Sequence, residues 1–147
     1  MRGKKVLLSV VGVVQDVGSE EASDEMRLVT TGELSGQDDS WKLRYIETQP
    51  DTAETHQVTF TMQDGVVTMS REGEYRTSMI FSQGNRFEGN YETPYGALEM
   101  GVYPTHVKYN VDENDKGEVL LKYQLDIQGQ FASMREMRIR FAPRRRA

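Results

Sequence analysis

Cysteine is absent from this chain, tryptophan occurs once, histidine twice and proline four times in 147 residues. Each scarcity closes off chemistry. Without cysteine there is no disulfide framework, no thiol nucleophile and no cysteine-ligated zinc or iron–sulfur site. The two histidines, His56 and His106, fall on different predicted strands with no carboxylate or second histidine at ligand spacing. Each is therefore expected to be an exposed polar side chain, and no metal site is read from them. Long apolar runs are missing too, none approaching the roughly 18 residues of a membrane helix. Gly-x-Ser-x-Gly, P-loop and dinucleotide fingerprints do not occur, so no enzyme, catalytic constellation or cofactor is read from the sequence.

What remains is the composition of one ordinary domain, 37% hydrophobic and 28% charged. The net charge of −5 is unevenly spread, because residues 135–147 hold six Arg against one Glu. The beginning of the chain imitates a secretory signal, with Arg2, Lys4 and Lys5 ahead of the apolar run Val6–Val14. No small-x-small cleavage site follows, and the β-branched run reads better as a strand. A cytoplasmic protein is the resulting expectation.

Periodicity points to the fold class. Trp41, Leu43 and Tyr45 alternate with Ser40, Lys42 and Arg44, and Val58, Phe60 and Met62 alternate with Gln57, Thr59 and Thr61. Val119, Leu121, Tyr123, Leu125 and Ile127 share one face, as do Met137, Ile139 and Phe141. A period of two places every second side chain on one side of a strand, and no 3,4 spacing persists long enough for a helix. The chain is all-β. About ten strands are predicted, at 4–14, 25–34, 40–48, 55–63, 66–71, 74–82, 86–93, 96–109, 118–128 and 131–141.

Asp64–Gly65 is the strongest hairpin signal, because a type I′ turn needs positive φ at both central residues. Gly84–Asn85, Gly129–Gln130, the Arg71–Gly73 corner and the polar Asp112–Gly117 loop mark further reversals. Loops this short leave no room for crossovers, so the strands follow one another antiparallel. A sheet of that size must close to bury its apolar face and remove its edges. The expected architecture is a single antiparallel up-and-down β-barrel of 8–10 strands over residues 1–142, with a short basic tail at 143–147. Pro104 and the glycines at 89, 96 and 101 are expected bend or bulge points.

Thr30–Leu34, Arg71–Gly73, Met79–Phe81, Tyr91–Glu99, Gly117–Tyr123 and Met137–Phe141, in this order and spacing, resemble the YwiB-like family of small bacterial proteins, mainly from Firmicutes. The most specific stretch is Tyr-x-Thr-Pro-x-Gly at 91–96. The resemblance spans Val6 to Phe141 and implies a lipocalin-like, or calycin, β-barrel belonging to a domain of unknown function. It implies no activity. The Gly-x-Trp signature of true lipocalins is missing, since Trp41 follows Asp39–Ser40 on a later strand, so transport of the lipocalin kind does not carry over.

The loop Asp112-x-Asn114-x-Lys116-Gly117 begins like a calcium loop but places a lysine at a ligand position and Tyr123 where the closing glutamate belongs. Glu88 and Glu92 lie about 13 Å apart by strand rise and read as exposed alternation. More telling are polar residues that continue an apolar face. Val67 and Met69 lead to Arg71, and the series Phe131, Ser133, Arg135, Met137 turns Arg135 the same way. An inward arginine in an apolar lining suits a carboxylate or phosphate head group. Arg71 and Arg135 are the candidate anion anchors, with Trp41, Tyr45, Tyr75, Tyr91 and Phe87 as the candidate wall. The competing reading has both arginines reaching solvent at the rim.

Arg144–Arg146 are a terminal basic run without interleaved aromatics, and no nucleic-acid partner is expected. The first strand is apolar on both faces: Val6, Leu8, Val10 and Val14 on one side, Leu7, Val11 and Val13 on the other. A loop or a second subunit has to cover the latter, which brings a homodimer into view. Two roles follow from the sequence. One is a barrel holding a small amphipathic or anionic ligand inside. The other is a barrel filled by its own eight Met, seven Tyr and five Phe, acting through its outer surface as a dimerising or partner-binding module.

Overall fold

The structure, a computed structural model, describes residues 3–16, 24–48 and 54–144, the side chains of Asp16 and Asp24 excepted. Ten strands run in order: β1 (Lys4–Asp16), β2 (Asp24–Gln37), β3 (Ser40–Thr48), β4 (Thr55–Gln63), β5 (Val66–Glu72), β6 (Thr77–Phe81), β7 (Phe87–Thr93), β8 (Gly96–Val111), β9 (Gly117–Ile127) and β10 (Gln130–Pro143). Each pairs antiparallel with its sequence neighbours, and β1 pairs with β10 to close the barrel. Closure removes both sheet edges. Most apolar side chains point inward and most charged ones outward. Among the described residues, no helix is long and apolar enough to cross a membrane.

The hairpins show why the chain reverses where it does. Asp64 and Gly65 have φ of 53° and 78°, the two positive values that a type I′ turn requires. At two other turns the reversal lies one residue earlier than expected. Gln128 and Gly129 take φ of 53° and 77°, and the bridge Ser82–Asn85 encloses Gln83 and Gly84. The Asp38–Asp39 turn, with φ of 50° and 69°, carries β2 on to Gln37 instead of ending it at 34. Aspartate tolerates the left-handed region better than most residues. Here the strain is offset by Asp39, whose Oδ1 accepts the Tyr109 hydroxyl at 2.8 Å and whose Oδ2 accepts the Asp64 amide at 3.2 Å.

Two bulges alter which side chains face inward. The register of β8 against β9 shifts between Pro104 and His106, and that of β10 against β9 between Phe131 and Ser133. The extra residue, Thr105 or Ala132, reverses the alternation on either side of it. The Thr105 hydroxyl donates to the Lys122 carbonyl at 3.2 Å. Phe131 consequently stands opposite Asp126 on the outside, not on the Ser133 face to which simple alternation assigns it. Gly89, Gly96 and Gly101 keep regular register instead of bulging. β6 begins at Thr77, which leaves Tyr75 in the bend before it.

The barrel interior is filled through most of its length. Phe60, Phe81, Leu43, Met62, Leu121 and Ile139 are fully buried, the Phe81 and Tyr123 rings meet edge-on at 4.9 Å, and Tyr45 stacks on Phe60. Each large apolar side chain so buried contributes roughly 1.5–3 kcal/mol. Filling stops at one end. β3 pairs with β2 only from Gly32 to Gln37, so residues 24–31 of β2 have no β3 partner among the described residues. There the wall parts.

Candidate binding cavity at the open end of the barrel

Behind that parting lies a cavity of about 280 Å³. Arg71 of β5, Glu47 of β3, Tyr123 of β9 and Arg135 of β10 supply its polar lining, with Glu25 and Glu136 at the rim. Gly12, Val13 and Val14 of β1, Met26 of β2 and Met137 of β10 supply the apolar side. Arg71, Glu47, Tyr123 and Arg135 each continue an inward-facing row past the filled core, whereas Val13, Glu25 and Glu136 border the cavity from the outward-facing rows of their strands.

Arg71 Nη2 donates to Glu47 Oε2 at 3.1 Å. Glu47 is the more enclosed partner, its side chain 8% exposed against 27% for Arg71. The Arg71 Nε is buried without a hydrogen-bond partner. Arg135 donates from Nε to the buried Ser133 hydroxyl at 3.1 Å and lies beside Tyr123. Burial pushes the Tyr123 hydroxyl above its ordinary pKa, and the positive charges of Arg135 and Arg71 oppose the shift. Burial also raises Tyr45, reinforced by the Glu47 carboxylate and opposed by Arg71. That both arginines act on Tyr123 reflects a convergence across the barrel interior.

Both candidate anchors, Arg71 and Arg135, therefore line the same cavity. Tyr45 is buried beneath it, stacked on Phe60. Tyr91 stands across from Thr77, which stands across from Arg71, two strands away from the lining and 40% exposed. The remaining wall candidates are elsewhere. Trp41 pairs with Met62 toward the opposite end and borders a separate hollow with Asp39 and Tyr109. Phe87 packs against the core across from Val102. Tyr75 is held off the wall by the late start of β6.

His56 overturns the expectation of exposure. It is buried, its Nδ1 has no hydrogen-bond partner, and it is paired with Glu47 across β3 and β4. A Cβ on Gly73 would lie 2.5 Å from its ring carbon Cδ2, so only glycine lets the chain turn over it. Extending Val58, Phe60 and Met62 backward by one period already places His56 inward. Glu47 follows Leu43 and Tyr45 by the same rule. His106 is exposed, beyond the β8 bulge. In the 112–117 loop, Asp112 Oδ1 accepts the amides of Asn114 and Lys116 at 2.8 and 3.0 Å, so the carboxylate closes the loop on itself. Of the expected tail, Pro143 ends β10 and the Arg144 amide donates to the Lys5 carbonyl at 3.1 Å; residues 145–147 lie outside the described residues.

The crystal structure of the YwiB protein from Bacillus subtilis is similar to this chain, with a TM-score of 0.82 and 21% sequence identity over 99% of this chain and 95% of that one. Likeness at that identity speaks for the barrel fold. Among curated proteins no match is found. The family described as a domain of unknown function, DUF1934, matches residues 9–139, nearly all of the barrel, and the chain belongs to that family.

Proposed function

We propose that the barrel binds a small anionic or amphipathic molecule in the cavity bounded by Arg71 and Arg135, as a binding protein and not as an enzyme. The observation that carries this reading is Arg135. Its guanidinium borders a hollow, is oriented through Nε by the buried Ser133 hydroxyl, and has no ion-pair partner among the described residues. A guanidinium fixed in this way offers its remaining N–H groups to a carboxylate or phosphate. Arg71 adds a second cation that Glu47 balances, so this trio keeps one uncompensated positive charge. Val14, Met26 and Met137 would take the apolar part of the ligand.

The volume lies just under the roughly 300–1,000 Å³ usual for small-molecule pockets, which suits a short molecule and not a long lipid. Burial raises the Tyr45 and Tyr123 hydroxyls further above neutral pH. We also place the protein in the cytoplasm, because the apolar run that imitates a secretory signal serves as the first barrel strand.

Native mass spectrometry of gently purified protein, together with calorimetric titration of octanoate and inorganic phosphate, tests the proposal. An adduct, or binding of either probe, that Arg135→Met abolishes while the variant keeps its far-ultraviolet dichroism is the expected result. No adduct and no binding of either probe to the unaltered protein, or undiminished binding by Arg135→Met, overturns it.

A further inference from the structure

The outer face of β2, β1 and β10 carries an ordered pattern that the cavity does not use. Across the three strands the register sets Glu25, Val13 and Glu136 in one row, and Arg27, Val11 and Arg138 in the next. Beyond these come Val29, Ser9 and Arg140, then Thr31, Leu7 and Ala142. Val11 and Val13 are only half-buried and lie in a groove of 420 Å³ walled by the charged residues on either side. Val29 and Leu7 are exposed further along the face.

We infer that this face is where two copies of the chain meet, packed sheet to sheet about a two-fold axis that lies in the interface, crosses β1 at right angles and passes between Val11 and Val13. The charge rows select that axis. Rows separated by one strand period are about 7 Å apart, and packed sheets about 10 Å. A two-fold axis across the strands exchanges the two rows, setting Glu136 of each copy against Arg138 of the other and Glu25 against Arg27. An axis along the strands would instead set the acidic row on the acidic row and the basic row on the basic row, an arrangement opposed by like charge. An isologous dimer needs a self-complementary patch, and adjacent rows of opposite sign supply one.

Arg138 gives a second reason. Glu25 pairs with Arg27 at 2.5 Å, Lys122 with Glu136 at 3.8 Å, and Arg140 with Glu118 at 2.9 Å. Arg138 has no ion-pair partner among the described residues, and its Nε is buried without a hydrogen bond. A carboxylate from a second copy supplies the missing charge partner, while the valines between the charged walls lose water. Glu25, Val13 and Glu136 belong both to this groove and to the rim of the interior cavity, so the second copy would stand beside the cavity's mouth.

The test is sedimentation velocity on the full chain at micromolar concentration, using charge-reversed variants. The unaltered protein is expected to dimerise. Arg138→Glu and Glu136→Arg, each alone, put like charges at both symmetry-related contacts and should weaken self-association by roughly a hundredfold. Mixing these two variants should restore a dimer, as should placing both changes in one chain, because opposite charges then face each other again. A monomeric unaltered protein leaves the face to another occupant and overturns the inference. Dimers that ignore both reversals overturn it as well, as do single variants that stay monomeric when mixed. Circular dichroism of each variant separates lost association from lost folding.

Discussion

Replacing Arg71 by methionine removes a guanidinium from a pair whose carboxylate, on Glu47, is 8% exposed. Methionine keeps much of the stem's packing, so the loss is mainly electrostatic. Breaking a fully buried pair by deleting one partner costs about 3–5 kcal/mol, because the survivor stays desolvated and uncompensated. Arg71 itself is 27% exposed, which places this pair between the buried and surface cases. The expected destabilisation is therefore about 2–3 kcal/mol. Adding Glu47→Gln to Arg71→Met removes the enclosed carboxylate that faced the guanidinium and should recover part of the loss, giving a coupling energy of about 1–2 kcal/mol in a double-mutant cycle. Urea unfolding followed by tryptophan fluorescence and far-ultraviolet dichroism measures each corner, and an unchanged slope keeps the comparison within two-state behaviour. If Arg71→Met costs under about 0.5 kcal/mol and adds to Glu47→Gln without coupling, the pair behaves like a surface ion pair. The account of an enclosed, charge-compensated cluster is then refuted.

Three further outcomes are expected. Phe60→Ala, at a fully buried ring in the filled part of the barrel, should cost about 3–5 kcal/mol in urea unfolding, with the stacked Tyr45 losing its support. Asp39→Gly should lose the contacts to Tyr109 and Asp64 but keep a relaxed turn, whereas Asp39→Ala should be less stable than Asp39→Gly by about 1 kcal/mol, because alanine resists a φ of 69°. Tyr45 and Tyr123 have folded-state pKa values raised by burial, so the stability linked to them is complete below the ordinary tyrosine value of 10 and is lost as pH rises above it. Their phenolate absorbance should then appear only with alkaline unfolding, and Tyr45→Phe or Tyr123→Phe should each remove one late-titrating group; early titration of both in the folded protein would contradict the burial.

Strand alternation is a local property, which is why it can be read without a structure. Trp41–Tyr45 and Val119–Leu125 announce their faces within a few residues, and the rule that points Arg71 and Arg135 inward also holds for Glu47 and His56. Bulges are less visible. Pro104 marks the bulge at Thr105, but nothing in the composition marks the one at Ala132, which reverses the parity of β10 and turns Phe131 outward. The aromatic candidates fail for another reason. Facing inward says nothing about height along the barrel, and Trp41 stands toward the opposite end from Arg71.

The sequence by itself determined an all-β meander, its approximate strands, an interior populated by Leu, Val, Met and Phe, and two arginines on the wrong face. Those are consequences of a period of two and of turns that need Gly, Asp or Asn. Only the tertiary structure decided that β1 and β10 join, that β2 leaves β3 early and opens one end, and that the Arg71–Glu47 pair and Arg135 come to line one cavity. These depend on registers between strands far apart in sequence and on the curvature of the closed sheet. No single strand carries that information.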